Sequence, residues 1–176
     1  MLIIADTGAL ISLGHIEKLH LIHDVFGEVL IPEMVWQELK SYQHPNFDKS
    51  NVDYFKDKVK SWKTSNYFKY VIDVGESEAM LLYKELNADY LLLDDKKARR
   101  IAESLNINCI GTIGLLIKAK QQGYVKLLKP FFKIWLKNDR YFSRDFLNKI
   151  LVQVKEDRLT HKEIWRQMGR AGGYFY

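Results

Sequence analysis

Six acidic residues stand out by type and position: Asp6, Glu38, Glu76, Glu78, Asp94 and Asp95. Each ends a short apolar run or sits in the helical pattern that follows one. Like charges brought to one place repel, so such a set needs protons or cations to persist. Hard divalent ions such as Mg2+ and Mn2+ take oxygen ligands. One or two of them can activate a water and stabilise the leaving oxygen of a phosphodiester. Each acid also has a plainer role. Asp6 and Asp95 can cap the helix that follows, Glu76 and Glu78 suit the first turn of a helix, and Glu38 suits a solvated helix face. A basic group, Lys96, Lys97, Arg99 and Arg100, comes directly after the last acid. On a helix it spreads over one exposed side, where it is either solvated or meets nucleic-acid phosphates without reading bases. Thr112 opens another helical pattern, where its hydroxyl caps the helix or a phosphate binds at its N-terminus.

The acids are far apart in sequence, so a fold must gather them. Short apolar runs at residues 2–5, 29–31, 68–72, 90–93 and 107–110 predict five strands, the clearest of them buried on both faces. Helical spacing covers residues 9–13 and 19–26, then resumes from Pro32 with Val35, Trp36 and Leu39. Pro32 stands at the first helical position, which suits proline. An irregular excursion at residues 41–66 predicts one helix, about 52–62. Further helices are predicted over residues 75–86, 96–105 and 112–121. Alternating strands and helices predict an α/β fold with a parallel sheet. Ligand sites in open α/β sheets lie outside the carboxyl ends of the strands, where Asp6 and Asp94 stand. From Pro130 the pattern is purely helical, with helices at 131–137 and 144–154, the second capped by Ser143. Residues 1–155 read as one domain and residues 156–176 as a loosely held basic tail.

Composition sets outer limits. The chain has 176 residues and a net charge of +5. Residues 1–93 carry a net −5 and residues 94–176 a net +10, an asymmetry that suits a polyanionic partner. The single cysteine, Cys109, excludes a disulfide scaffold and a multi-cysteine zinc site, and its predicted strand makes it a small core residue. No apolar run approaches the roughly 20 residues of a membrane helix, and no signal-peptide pattern opens the chain. The expectation is a cytoplasmic protein without a membrane partner. The five histidines are scattered, and His20 with His23 lacks a third ligand nearby. Most of the aromatics at 42–68 read as packing, with an exposed subset available to hold a partner or stack on bases.

Four segments together resemble the PIN-domain family, metal-dependent ribonucleases that include the VapC-type toxins. They are Ile3-Ile4-Ala5-Asp6-Thr7-Gly8, Ile31-Pro32-Glu33-Met34-Val35-Trp36-Gln37-Glu38, Gly75-Glu76-Ser77-Glu78-Ala79 and Leu92-Leu93-Asp94-Asp95. Gly111-Thr112 resembles the turn after the fifth strand in a stand-alone PIN-like subgroup. The resemblance implies a three-layer α/β/α sandwich with strand order 3-2-1-4-5. It implies Asp6, Glu38, Glu78 and Asp94 as catalytic residues and ligands of Mg2+ or Mn2+, with Glu76 and Asp95 competing for the last two places. Glu78 is preferred because it directly precedes Ala79. Thr7, Lys96, Lys97, Arg99, Arg100 and Thr112 are then the RNA contacts. A homodimer and, for a toxin, a small antitoxin partner are also implied. Gly8 stands where many relatives carry a hydroxyl. Two other readings stay open: a non-catalytic RNA- or protein-binding module on this fold, and a phosphatase or phosphoacceptor protein on another α/β fold.

Overall fold

The computed structural model describes residues 1–47, 50–61, 73–138, 140–160 and 163. Five strands form one parallel sheet: β1 (Leu2–Ala5), β2 (Glu28–Pro32), β3 (Val59–Lys60), β4 (Tyr90–Leu92) and β5 (Cys109–Ile110). Their order is β3-β2-β1-β4-β5. In register, Ile4 pairs with Leu30 on one side of β1 and with Leu91 on the other. The chain thus steps outward from β1 through β2 to β3, then returns to place β4 against the free side of β1. This reversal of direction opens a crevice at the carboxyl ends of β1 and β4, the place where such sheets bind ligands.

Alternation along the strands supplies both faces with apolar side chains. Ile3, Ala5, Val29, Ile31 and Leu92 face a core shared with α1 (Thr7–His15), α2 (His20–Phe26), α3 (Glu33–Ser41) and α7 (Thr112–Gln121). Ile4, Leu30, Leu91 and Leu93 face the smaller core under α5 (Val74–Leu86) and α6 (Lys96–Ser104). The result is the expected three-layer sandwich. Two helices, α8 (Lys129–Lys137) and α9 (Arg144–Gln153), close the larger face. Trp135 is fully buried, and its indole N–H donates to the Ser12 carbonyl at 2.7 Å. That bond ties α8 to α1, and truncating a buried tryptophan of this kind costs about 3–5 kcal/mol.

Several boundaries differ from expectation. The helix expected at 52–62 is broken into a short α4 (Ser50–Asp53), a 3-10 turn (Lys56–Lys58) and β3. Phe55 is fully buried there, so local packing outweighs helical periodicity. The sheet takes its third strand from Val59–Lys60, and the strand expected at 68–72 lies outside the described residues. Pro32 caps α3 from outside the helix, with extended backbone, and Glu33 is the first helical residue. Cys109 is half-buried rather than a core residue. Of the expected tail, residues 161, 162 and 164–176 lie outside the described residues. Its described start is held: Leu159 is buried and its N–H donates to Asn148. Glu163 pairs with Lys129 and Lys133 of α8. No helix among the described residues is long and apolar enough to cross a membrane.

Candidate active site

A cavity of about 1130 Å3 lies over the β1–β4 crevice. Its floor is acidic. Asp6, Glu38, Asp73, Glu76, Asp94 and Asp95 all line it. Helix starts position three of them, because the carboxylate that caps a helix is held by its first free amides. Asp6 accepts from the Gly8 N–H at 3.0 Å, Asp73 from the Gly75 N–H at 3.0 Å, and Asp95 from the Ala98 N–H at 2.8 Å. Glu38 reaches the floor from α3. The Thr7 hydroxyl donates to its Oε2. Gly75 permits the approach, since a Cβ there would stand 3.0 Å from Glu38 Oε1.

Asp94 is held from three directions. The Thr112 N–H donates to Oδ1 at 2.7 Å, and the Thr112 and Tyr141 hydroxyls each donate to Oδ2 at 2.6 Å. Thr112 is completely buried. Its hydroxyl serves Asp94 and does not cap its own helix, whose cap is Gly111. The expected RNA contact at Thr112 is therefore corrected to a structural support for Asp94. Thr7 lines the cavity, but its hydroxyl is committed to Glu38.

The two acids that competed for the third corner are separated by helix geometry. Glu76 lines the cavity. Glu78 is 9% exposed, does not line the cavity, and accepts from the Met34 N–H at 3.2 Å, thereby supporting the start of α3. Two positions along a helix turn a side chain to a different face, and that turn reverses the preference for Glu78. At the fourth corner both Asp94 and Asp95 reach the cavity.

Burial and mutual repulsion favour the neutral forms of these acids. Burial pushes the Asp6 carboxyl up to about 7, against the lowering effect of the Gly8 N–H, and Glu76 and Glu38 add to the rise. Burial, then Asp95 and Asp73, push Glu76 up to about 7. Glu38 is raised by burial and by Asp73 and Glu78, while the Thr7 hydroxyl opposes the shift. Bringing several ionised carboxylates under one roof is unfavourable unless a cation is present. The donors are all oxygen, which suits a hard divalent ion in kind and charge. Among the described residues, no three acidic, histidine or cysteine side chains are drawn together as a metal-holding group.

The rim differs in charge. Lys96, Arg99 and Arg100 of α6 line the cavity, and Lys97 does not. Arg99 also pairs with Glu103 at 3.7 Å. A Cβ on Gly111 would stand 3.0 Å from both Arg99 Nη1 and Asp94 Oδ1, so this glycine lets a cation lie beside the acid. Ile113 and Ile117 of α7, with Tyr141, Phe142 and Phe146, form an apolar side.

Sequence reasoning missed Asp73 and Tyr141. Asp73 carried a usable signal, an aspartate just ahead of the helical pattern expected from Gly75, and it is the cap of the observed helix, which begins at Val74. Tyr141 carried none, because its bond to Asp94 spans 47 positions of chain. Cys109 lines the cavity with its thiol pushed up to about 11 by burial, which keeps it protonated and unreactive at neutral pH.

A search of curated proteins and a search of solved structures gave no significant match. A comparison with protein families matches residues 2–156 to the PIN domain. The five-stranded parallel sheet in the order 3-2-1-4-5, with acids at the carboxyl ends of its central strands, agrees with that match. With most of its length so matched, the chain belongs to the PIN-domain family, whose fold is that of nucleases.

Proposed function

We propose that this chain is a Mg2+- or Mn2+-dependent endoribonuclease that hydrolyses RNA phosphodiester bonds. The observation that carries the reading is the acid-floored, basic-rimmed cavity at the β1–β4 crevice. PIN domains typically use divalent metal ions. Here Asp6, Glu38, Glu76 and Asp94 would hold the cation, with Asp73 and Asp95 beside them. When bound, the ion supplies a water of lowered pKa and a positive charge for the leaving oxygen. The chain supplies orientation. Thr7 holds Glu38, Thr112 holds Asp94, and the Gly8 amide holds Asp6. Lys96, Arg99 and Arg100 bind the flanking phosphates. The resemblance to VapC-type toxins extends the proposal to a homodimer and to a small antitoxin that covers the cavity.

One observation favours a second reading, a non-catalytic RNA-binding module on the same fold. Both oxygens of Asp94 already accept hydrogen bonds from the chain. A single experiment separates the two. Metal-stripped protein is given Mn2+ and varied RNAs, alongside Asp6→Asn. Cleavage that needs Mn2+ and falls to background in the variant supports the nuclease. Equal cleavage by both proteins rejects the site, and binding without cleavage on any RNA supports the module.

A further inference from the structure

The acid floor and the basic rim account for a phosphate, but they leave the apolar side of the cavity without an occupant. That side is built from Ile113 and Ile117, one turn apart on the same face of α7, and from Tyr141, Phe142 and Phe146. The rings are arranged as a surface. Tyr141 and Phe142 lie 4.6 Å apart by centroid, and Phe142 and Phe146 lie 6.5 Å apart with planes only 22° from parallel. Phe142 is backed by the buried Trp135 at 4.7 Å, so the surface rests on the core and holds its place. Its outer rings meet water: Tyr141 is 55% exposed and Phe146 is 43% exposed. Of the aromatics at residues 42–68 that invited a base-stacking role, Tyr42, Tyr54 and Phe55 do not line this cavity and Phe55 is fully buried, while Trp62, Tyr67 and Phe68 lie outside the described residues.

An apolar, aromatic wall beside a cationic rim calls for a ligand with an anionic part and a flat, weakly polar part. A nucleotide has both, and aromatic side chains stack on bases with little regard to their identity. In a duplex the faces of the bases are covered by their neighbours, and A-form RNA presents mainly phosphates, hydroxyls and base edges. We propose that the Phe142–Phe146 wall seats the base of an unpaired nucleotide adjacent to the phosphate held at the acids. The wall engages that nucleotide by stacking and is tolerant of its base identity. The inference rests on the ribonuclease reading and adds a subsite to it.

The test uses the full chain and a short single-stranded oligoribonucleotide, with Ca2+ in place of Mg2+ or Mn2+ and strand integrity checked by gel. 2-Aminopurine is placed at each position in turn. Quenching on binding is expected at one position, and an abasic nucleotide there should weaken binding about tenfold. Phe146→Ala should weaken the intact strand by a similar factor and leave the abasic strand unchanged, while Phe146→Trp restores the difference. The proposal is overturned if the wild-type chain binds intact and abasic strands alike. It is equally overturned if Phe146→Ala weakens both equally, or if a duplex of the same sequence binds as tightly as the single strand. Base-blind binding together with a dimer that Phe146→Ala dissolves would assign the wall to a second copy of the chain and reject the proposal. Base-blind binding with Mn2+-dependent cleavage intact rejects the stacking subsite alone. Absence of all RNA binding and of all metal-dependent cleavage removes the ribonuclease reading as well.

Discussion

Asp6→Asn should make the metal-free protein more stable as pH rises. The variant removes a charge and keeps a cap, since asparagine accepts an N-terminal amide about as well as aspartate does. In the folded chain the Asp6 carboxyl is held at about 7, chiefly because it is buried and 6% exposed. In the unfolded chain it titrates near its ordinary value of 3.8. Between those two values the folded state keeps a proton that the unfolded state has lost. The stability this proton confers is complete below the lower value, declines through the window and is gone above about 7. From pH 5 to pH 8 the parent therefore loses about 3 kcal/mol through this one group. The asparagine variant does not titrate and escapes that loss, so its advantage over the parent should grow by the same amount. For a chain of this size that corresponds to about 6–12 °C in Tm. Urea denaturation and thermal melting in EDTA at pH 5 and pH 8 measure it. Mn2+ at pH 8 should then raise the parent's Tm and leave the variant's unmoved. A stability difference that is the same at both pH values would refute the reasoning, as would a variant less stable at pH 8.

Three further outcomes are expected. Asp6 and Glu76 both titrate at about 7, so the fraction with both ionised rises about 100-fold from pH 6 to pH 8, and Mn2+ affinity should rise with it. Isothermal titration calorimetry in buffers of different ionisation enthalpy should show about one proton released per site at pH 7. Glu76→Gln should abolish Mn2+ binding and, in the metal-free protein, gain stability on the parent as pH rises through about 7, in the manner of Asp6→Asn. Glu78→Ala should instead cost about 1–2 kcal/mol by leaving the Met34 N–H without its acceptor and retain Mn2+ binding, as read by parallel denaturation and calorimetry. Replacing Arg99 and Arg100 together by Ala should lower the salt dependence of single-stranded RNA binding by about 1.4 in log–log slope, roughly 0.7 for each phosphate left without its arginine, with Mn2+ affinity unchanged.

The sheet was legible because its strands are short apolar runs closed by acids or turns, and Leu2–Ala5 and Tyr90–Leu92 emerge where the pattern puts them. The excursion was not. Val52 and Phe55 suggest a helix by spacing, but both are spent on the core, and the chain extends at Val59 to pair with Ile31. At the site, Asp6, Glu38 and Asp94 were legible from their places after strands and on a helix. The choice between Glu76 and Glu78 was not, because adjacency to Ala79 says nothing of which helix face meets the crevice. Asp94 shows the same limit. Its partners Thr112 and Tyr141 come from a buried helix start and a distant loop, and only the packing of α8 and α9 brings the second one in.

The carboxylates of Asp6, Asp73 and Asp95 each do two jobs with one side chain: they accept a helix amide and they charge the cavity floor. The first job needs only a short side chain with an oxygen, and asparagine or serine performs it nearly as well. The second needs the negative charge. Architecture and chemistry are therefore separable at these positions by a single codon change, and for the buried Asp6 the change is favourable to folding. If the chain has the proposed activity, one such step removes it without changing the shape. The rim of arginines and the aromatic wall survive that step untouched. Under the proposed ribonuclease reading, a chain that keeps the fold, the rim and the wall but has lost the activity stands one substitution away from this one.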